Sequence, residues 1–321
     1  MLLFHALHNQ RLIPVAAEGA SDADAAWIDL VHPTPEEDKR VEDLLQIAVP
    51  TREDMAEIEI SSRLYRENDA IYMTASLLHG SQGPMPEASP VTFILAKGRL
   101  VTVRYAEPGA FGAFLKQAQK ADLNLVNADS IFAALLEAII DRTADILERV
   151  GLEVDGISRE VFQSEDESRA GSKDYRKLLG QIGRSGDQIS KVRESLVSVG
   201  RLVNFATAEC AATRPALRER TETMAADIRS ISDHSTYVAG TIVFLLDATL
   251  GLINIQQNNI IKIVSVVSVV IMPPTLIASI YGMNFDFMPE LHWRIGYPLA
   301  LLAMGVAAVI PYWYFRRRGW L

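Results

Sequence analysis

Two long uncharged segments near the C-terminus constrain the fold of this chain most strongly. Residues 263–285 are 23 consecutive residues without a charge, and residues 296–315 are 20 more. A helix of either length can cross the hydrocarbon layer of a membrane, which is roughly 30 Å thick. We therefore predict two transmembrane helices joined by an exposed loop at 286–295. The alternative, a helical hairpin buried in a soluble domain, is disfavoured by these lengths.

The basic residues around these segments predict the orientation of the chain. Lys262 precedes the first segment and Arg316, Arg317 and Arg318 follow the second, whereas the loop contributes Arg294. Basic residues are more abundant on the cytoplasmic side of membrane proteins. We expect both termini in the cytoplasm and the loop outside a cell inner membrane.

The rest of the chain is acidic. Residues 260–321 carry a net charge of +3, so the formal charge of −9 leaves −12 for residues 1–259. This balance argues against nucleic acid as a partner and suits a protein that handles cations. Cys210 is the single cysteine in the sequence, so we expect neither an intrachain disulfide nor a thiolate metal cluster.

The acidic part begins with a mixed α and β pattern. Segments 70–78 and 91–105 are rich in β-branched and aromatic residues, and a Lys97-Gly98 turn predicts a hairpin in the second segment. Residues 81–90 are predicted to form a loop. Thr34 is predicted to cap a helix that runs to residue 48.

Long helices are predicted from about residue 128 onward. Asp129 or Ser130 would cap the first, and a second would cover 173–205. No proline occurs between Pro215 and Pro273, so a third helix could run from 216 to 272, about 85 Å at ~1.5 Å per residue. A helix that long is rarely stable alone, so partners are implied.

These patterns predict an α+β cytoplasmic domain with a long stalk helix and two C-terminal transmembrane helices. The predicted segments are an α/β domain at 1–127, a long-helix hairpin with the stalk at 128–259, transmembrane helix 1 at 260–285, the outer loop at 286–295, transmembrane helix 2 at 296–315 and a basic tail at 316–321.

A stripe of polar or small residues follows one face of the first predicted span. It repeats at steps of three, four or seven, as in an a/d heptad pattern, and Ile261 fills the one gap. The stripe comprises Asn258, Ser265, Ser268, Met272, Thr275, Ser279 and Gly282. The opposite faces are apolar: Ile263, Val266, Val267, Val270, Ile271, Leu276, Ile277 and Ile280. Ordinary helix packing and pore lining both explain such a stripe. A pore would need several copies of the chain.

The sequence Tyr281-Gly282-Met283-Asn284, at the outer end of this span, resembles the hallmark of the CorA-type magnesium channels. The resemblance extends to the segments FMPELHWRIGYP, MPPT and RRRGWL, and more faintly to WIDLVHPTPEE near the N-terminus. It implies a funnel-shaped homopentamer in which the first span lines the pore and the second forms an outer ring.

The resemblance also implies roles for individual residues. Asn258, Met272, Thr275 and Asn284 would line the pore, with Gly282, Met283 and Asn284 forming the selectivity filter. Asp247 on the stalk would bind regulatory Mg2+ between neighbouring chains. Lys262 with Arg316, Arg317 and Arg318 would form a basic ring at the inner mouth.

Physical chemistry gives these positions a mechanism. The C-terminal end of a helix favours a cation, and Gly282 suits the left-handed residue that often closes a helix. A ring of neutral Asn284 amides could accept hydrogen bonds from hydrated Mg2+, an ion that loses water reluctantly. Asp286 and Glu290 would attract cations to the outer loop.

We therefore expect a non-enzymatic, homo-oligomeric channel for passive uptake of Mg2+, and of Co2+ or Ni2+, gated by cytoplasmic Mg2+. Its partners would be its own copies, divalent cations and membrane lipid, with no nucleic acid, nucleotide or organic cofactor. A proton-coupled zinc transporter of the ZntB type is the main alternative, although the 288–291 loop favours magnesium. A membrane-anchored enzyme is the other, but the sequence has no His-Glu-x-x-His or Gly-x-Ser-x-Gly motif.

Overall fold

The structure is a computed structural model that describes residues 1–15, 25–80, 86–120, 123–162, 174–210, 214–284 and 288–320. The chain divides into two compact units, Met1–Leu246 and Asp247–Leu321. We describe each unit by itself.

The first unit contains a seven-stranded sheet in the order β2-β1-β3-β7-β6-β5-β4. Only β3 and β7 pair in parallel among the strands described; the other neighbours are antiparallel. The strands β1 to β7 are Leu2–His8, Arg11–Val15, Ala25–Val31, Leu64–Glu67, Ala70–His79, Glu87–Ala96 and Arg99–Arg104.

The predicted hairpin is confirmed. Strands β6 and β7 pair from Ala96 opposite Arg99, and both turn residues have positive φ, 49° at Lys97 and 76° at Gly98. A two-residue turn with positive φ at both positions matches the twist of the flanking strands. The sequence therefore specified this turn locally.

The predicted loop at 81–90 is wrong at its C-terminal end, because β6 begins at Glu87. Strand β5 is long enough to pair with this extension, and Pro90 lies opposite Ser76. Pro90 lacks a backbone N–H and so removes one donor from the strand pair. A side-chain hydrogen bond between His79 Nε2 and Ser89 Oγ, 2.8 Å apart, joins the two strands beside it. Residues 81–85 lie outside the described part of the chain.

Four short helices flank the sheet: α1 (Pro35–Leu45), α2 (Arg52–Ala56), α3 (Ile60–Arg63) and α4 (Gly109–Ala118). Thr34 caps α1 as predicted, since its hydroxyl accepts the Glu37 N–H and the Glu37 carboxylate accepts the Thr34 N–H. The helix stops at Leu45, before the predicted end, because Gln46 takes a left-handed conformation with φ of 51°.

Both faces of the sheet are covered. Val41 and Leu45 of α1 pack with Ile28, Leu30 and other strand residues on one face. On the opposite face, Trp27 meets the ring of Phe114, with ring centres 5.7 Å apart. Strand β5 is consequently buried at nine consecutive positions, and its sequence is apolar rather than alternating.

A buried ion pair joins the two parallel strands. Arg104 Nη2 of β7 lies 2.9 Å from Asp29 Oδ2 of β3, and the Asp29 side chain has no exposed surface. Thr102 donates to Asp29 Oδ1 at 2.7 Å, and Trp27 Nε1 donates to Thr102 at 2.9 Å. The Arg104 guanidinium also lies 4.7 Å from the centre of the Phe111 ring. The pair is therefore enclosed by partners that satisfy both charges.

Two long helices follow, α5 (Ala128–Phe162) and α6 (Tyr175–Cys210). The predicted caps of α5, Asp129 or Ser130, are wrong. Asn127 Oδ1 accepts the Ser130 N–H at 2.9 Å and so caps the helix two residues before Asp129. Helix α6 begins and ends later than predicted, and Ser198 on α6 accepts the Ser76 N–H of β5 at 2.9 Å.

Helix α7 covers Pro215–Tyr281, 67 residues, and reaches into the second unit. The helix extends beyond the proline-free stretch 216–272, because Pro273 and Pro274 lie inside it. Each proline removes one backbone donor, and an apolar membrane segment tolerates this when nearby groups re-satisfy the backbone. The carbonyls of Val269 and Val270 lose their helical donors here, and the Thr275 hydroxyl donates to the adjacent Ile271 carbonyl at 2.8 Å. A 3-10 turn, Pro289–His292, and helix α8, Gly296–Arg317, complete the unit.

Candidate ion path on helix α7

Four residues of the predicted stripe line one open groove of about 550 Å³ on α7: Ser268, Met272, Thr275 and Ser279. Their spacing of three or four residues places them on one helix face. The groove is the feature of the second unit that best matches a surface for ions. It places together most of the predicted pore residues that lie within the membrane segment.

The groove includes residues that lie outside the predicted stripe. Val267, Ile271 and Leu276 also line it, although we had assigned them to the opposite, apolar faces. Each is a direct neighbour of a stripe residue and lies only about 100° away around the helix, because a turn holds 3.6 residues. The polar stripe is therefore flanked by apolar side chains within a single groove.

The hydroxyl groups of the groove are oriented by the helix itself. Ser268 donates to the Val264 carbonyl at 2.8 Å, and Thr275 donates to the Ile271 carbonyl at the same distance. A hydroxyl has one donor and two acceptor lone pairs. Because the donor is used inside the helix, the oxygen presents acceptors to the groove. Such a surface favours water molecules that donate hydrogen bonds, as those around a cation do.

The apolar parts of α7 and α8 are largely exposed. Both helices are long and apolar enough to cross a membrane, and only 6% of the most apolar window of each is buried. A soluble core hairpin would bury most of this surface, so that alternative is not supported. Val266 on α7 is an exception at 3% exposure.

The C-terminal end of α7 differs from the prediction in one respect. The helix ends at Tyr281, and Gly282 N–H still donates to the Ala278 carbonyl at 3.0 Å. Gly282 is not among the residues with positive φ, so the predicted left-handed conformation is wrong. Met283 N–H, bonded to the Ile280 carbonyl at 3.2 Å, tightens the turn instead. Asn284 follows it and is exposed.

Residues 290–296 form a compact turn before α8. Trp293 N–H donates to the Glu290 carbonyl at 3.3 Å, and Gly296 N–H donates to the Trp293 carbonyl at 3.0 Å. A side chain at Gly296 would collide with the Glu290 carbonyl oxygen, which explains the glycine. Glu290 is exposed, as its predicted role requires, whereas Asp286 lies outside the described residues.

The other predicted site residues lie away from the groove. Most are exposed, and Ser265 is half-buried. Met283 is 48% exposed within the single chain. The exposed ones are Asp247, Asn258, Ile261, Lys262, Arg316, Arg317 and Arg318. In the described ranges, no cluster of three or more His, Cys, Asp or Glu side chains could hold a metal.

An α/β domain, long helices and two exposed apolar helices, each long enough to cross a membrane, are the features of a membrane protein with two candidate C-terminal spans. A family model described as "CorA-like Mg2+ transporter protein" matches residues 22–317. The magnesium transport protein CorA of Yersinia pseudotuberculosis is 35% identical, with both chains fully covered. This chain belongs to the CorA family of transporters.

Two solved structures support the fold. The complete CorA magnesium transporter of Methanocaldococcus jannaschii has a TM-score of 0.80 at 21% identity, covering 100% of this chain and 99% of that one. The cytoplasmic domain of ZntB from Vibrio parahaemolyticus has a TM-score of 0.52 at 12% identity, covering 78% and 97%. At these identities the likeness concerns the fold alone.

Proposed function

We propose that this protein is a homopentameric channel for passive, potential-driven uptake of hydrated Mg2+ across a cell inner membrane. Co2+ and Ni2+ are further candidate ions. Five copies of α7 would surround the axis with their grooves facing inward, and α8 would form the outer ring. Membership of the transporter family and the transport role named for its relatives support the proposal.

The groove on α7 is the observation that carries this proposal. Its hydroxyl oxygens present acceptors, because Ser268 and Thr275 donate inside the helix. Facing a common axis, these oxygens could accept hydrogen bonds from the water shell of an ion. Mg2+ gives up its water reluctantly, so a path that contacts the shell suits it better than one that needs bare ions.

Asn284, with Gly282 and Met283, would form the filter at the outer mouth. Asn284 is exposed at the C-terminal end of α7, where the negative end of the helix dipole favours cations. A ring of neutral amides binds less tightly than a ring of carboxylates, which allows the ion to leave again. Glu290, and Asp286 in the same loop, would concentrate cations outside.

The membrane potential would supply the driving force. A divalent ion that enters an inside-negative cell gains about 4.6 kcal/mol per 100 mV, twice the value for one charge. That energy supports an accumulation of more than about a thousandfold. No nucleotide motif occurs in the sequence, and a passive pathway would need none.

Asp247 would make the channel sensitive to cytoplasmic Mg2+. The side chain is exposed on α7 and has no ion-pair partner among the described residues. Carboxylates of neighbouring copies would repel each other when empty and be bridged when Mg2+ is abundant. Bound ion would favour the closed state, and its loss would favour opening. Lys262 with the three C-terminal arginines would form a positive ring at the inner mouth.

The test is ion flux into vesicles that contain the purified full chain, with a panel of divalent ions and an imposed inside-negative potential. Asn284→Ala should lower Mg2+ flux by about tenfold, the loss expected for ~1.4 kcal/mol of ion stabilisation. Asn259→Ala, which removes an exposed amide just beside the stripe, serves as the matched control and should conduct normally. Equal flux in both variants would refute the filter assignment.

Two outcomes would favour the alternatives. Zinc flux that needs a pH gradient would indicate a ZntB-like transporter, and absence of any potential-driven divalent flux would favour a membrane-anchored protein without transport activity. For gating, Asp247→Ala should weaken the closure of the channel by internal Mg2+. Asp187→Ala, an exposed carboxylate on α6, should leave it unchanged.

A further inference from the structure

The C-terminal end of α8 has a defined cap. Gly319 has φ of 70°, its N–H donates to the Arg316 carbonyl, and Trp320 N–H donates to the Phe315 carbonyl, both at 3.1 Å. The rings of Phe315 and Trp320 lie 5.3 Å apart. These two bonds and the apolar contact define a Schellman motif, which needs a left-handed residue that glycine supplies without strain. The basic tail is therefore folded back on its own helix.

Two of the tail arginines are held on aromatic rings. The Arg317 guanidinium lies 5.3 Å from the centre of the Trp313 ring, and that of Arg318 lies 5.5 Å from the centre of the Tyr314 ring. Both pairs are four residues apart, which places the partners on one helix face. A cation above an aromatic face is stabilised by the ring electrons. Each of the two guanidinium groups is thus held on an aromatic ring of its own.

No acidic side chain of the described residues pairs with these positive groups. Arg316, Arg317 and Arg318 are exposed, and helix Gly296–Arg317 contains no acidic residue. Within the described part of the chain, no carboxylate forms an ion pair with any of the three. Guanidinium groups bind phosphate oxygens in a planar, bidentate manner. The cluster is consequently complementary to an anionic phosphate.

The length of α8 indicates where this phosphate would lie. The 20 uncharged residues 296–315 span about 30 Å as a helix, the thickness of the hydrocarbon layer. The arginines that follow would reach the headgroup region. Trp313 and Trp320, with exposures of 60% and 42%, would lie at the boundary that aromatic residues prefer.

We propose that the capped end of α8 binds the headgroup of an anionic phospholipid, through Arg317 and Arg318 ordered on Trp313 and Tyr314. The inference requires α8 to span a membrane and so rests on the proposed function. It adds a specific lipid site to that function and assigns Arg317 and Arg318 to the lipid headgroup, which leaves Lys262 and Arg316 for the positive ring at the inner mouth. A basic cluster that follows a transmembrane helix on the cytoplasmic side is suited to anionic lipids.

The test measures lipid preference by tryptophan fluorescence, with the full chain in vesicles of phosphatidylcholine and phosphatidylglycerol. One lipid or the other carries brominated chains, which quench nearby tryptophan. All arms contain Trp293→Phe, so that Trp313 and Trp320 report; Trp27 is fully buried and adds a constant signal. Attraction of ~1 kcal/mol per basic residue predicts a preference for phosphatidylglycerol of about fivefold per arginine.

Three variants make the test specific. Arg317→Gln with Arg318→Gln should reduce the preference to that of a neutral surface. Gly319→Ala should reduce it in part, because the cap holds the arginines in place. Arg294→Gln, which removes a basic residue from the outer loop, should leave it unchanged.

Two results would overturn the proposal: full preference in the double arginine variant, or loss of the wild-type preference on addition of millimolar free phosphate, which would indicate a site for soluble anions. Ion flux is measured separately in the same vesicles. If the protein shows the lipid preference but no ion flux, the result contradicts the proposed channel function and leaves the lipid site standing. A conducting protein without the preference contradicts the lipid site alone.

Discussion

The buried pair of Asp29 and Arg104 is a residue-scale feature that joins the two parallel strands of the first unit. Asp29 has no exposed side-chain surface, and its partners come from the parallel strand β7. Removing one member leaves the other charged and buried. The segment WIDLVHPTPEE therefore has a structural role, because it contains both Asp29 and the Thr34 cap.

Asp29→Ala should lower the free energy of unfolding by about 3–5 kcal/mol, because it strands the Arg104 charge. Thermal unfolding of the full chain in detergent should show a large drop in Tm. Glu194→Ala is the matched control: its pair with Lys191 is 51% and 39% exposed, and such pairs contribute less than about 1 kcal/mol. Equal Tm values for the two variants would contradict this role.

His5 provides a second prediction, on pH dependence. The ring stacks on Trp27 at 4.6 Å, and neither ring nitrogen has a hydrogen-bond partner in the described structure. Burial lowers the pKa of His5, although the charge of Asp29 opposes this in part. Since the unfolded chain then binds a proton more readily, stability should fall as the pH drops below 6.5, the ordinary value.

The measurement compares Tm at neutral pH and at about pH 5.5, one unit below the ordinary histidine value. His5→Phe keeps an aromatic ring on Trp27 and should reduce the loss of Tm on acidification. His8→Gln, at an exposed position of the same strand, should not. If His5→Phe is as acid-sensitive as the wild type, the burial of a neutral His5 is not the cause.

Local chemistry explains which residue-scale features could be predicted from the sequence. The Thr34 cap and the Lys97-Gly98 turn depend on a few adjacent residues and were predicted correctly. The cap of α5 was misplaced because Asn127, Asp129 and Ser130 can all accept a backbone N–H, and tertiary packing selects among them. Gly282 retains a helical bond to Ala278, which composition alone does not reveal.

At the scale of elements, α7 differs most from its sequence pattern. A proline usually ends or kinks a helix in water, yet α7 runs through Pro273 and Pro274 to Tyr281, within the predicted span 260–285. The sequence rule reflects helices in water, where an alternative backbone conformation can be solvated. In an apolar segment, leaving the helix would expose more unpaired groups than two prolines do. The continuous helix keeps Met272, Thr275 and Ser279 on one face.

The stripe also makes a prediction at its inner end. Asn258 and Asn259 are adjacent, exposed amides on α7, and only Asn258 lies on the stripe. Asn258→Ala should lower Mg2+ flux several-fold at equal protein density, because it removes an acceptor from the path. Asn259→Ala should not. Equal effects would mean that the stripe does not continue inward past the membrane segment as proposed.

At the scale of the whole molecule, the two membrane spans could be predicted from the sequence, whereas the pairing of the strands in the sheet could not. The two spans follow from length and charge, which are properties of single segments. The parallel pairing of β3 and β7 joins residues more than seventy positions apart, and no local signal encodes it. The groove likewise was predicted only as a line of residues, because its width depends on the neighbours of each stripe position.

The single cysteine permits the most direct test of the proposed ion path. Cys210 is buried at 1% exposure, and Cys210→Ala would give a cysteine-free background. In that background, Met272→Cys would place one thiol in the groove of α7, and Val270→Cys would place one on another face of the same helix. The measurement is Mg2+ flux into vesicles before and after a water-soluble, charged thiol reagent. The account predicts that the reagent blocks Met272→Cys and spares Val270→Cys; equal block, or none in either variant, would contradict it.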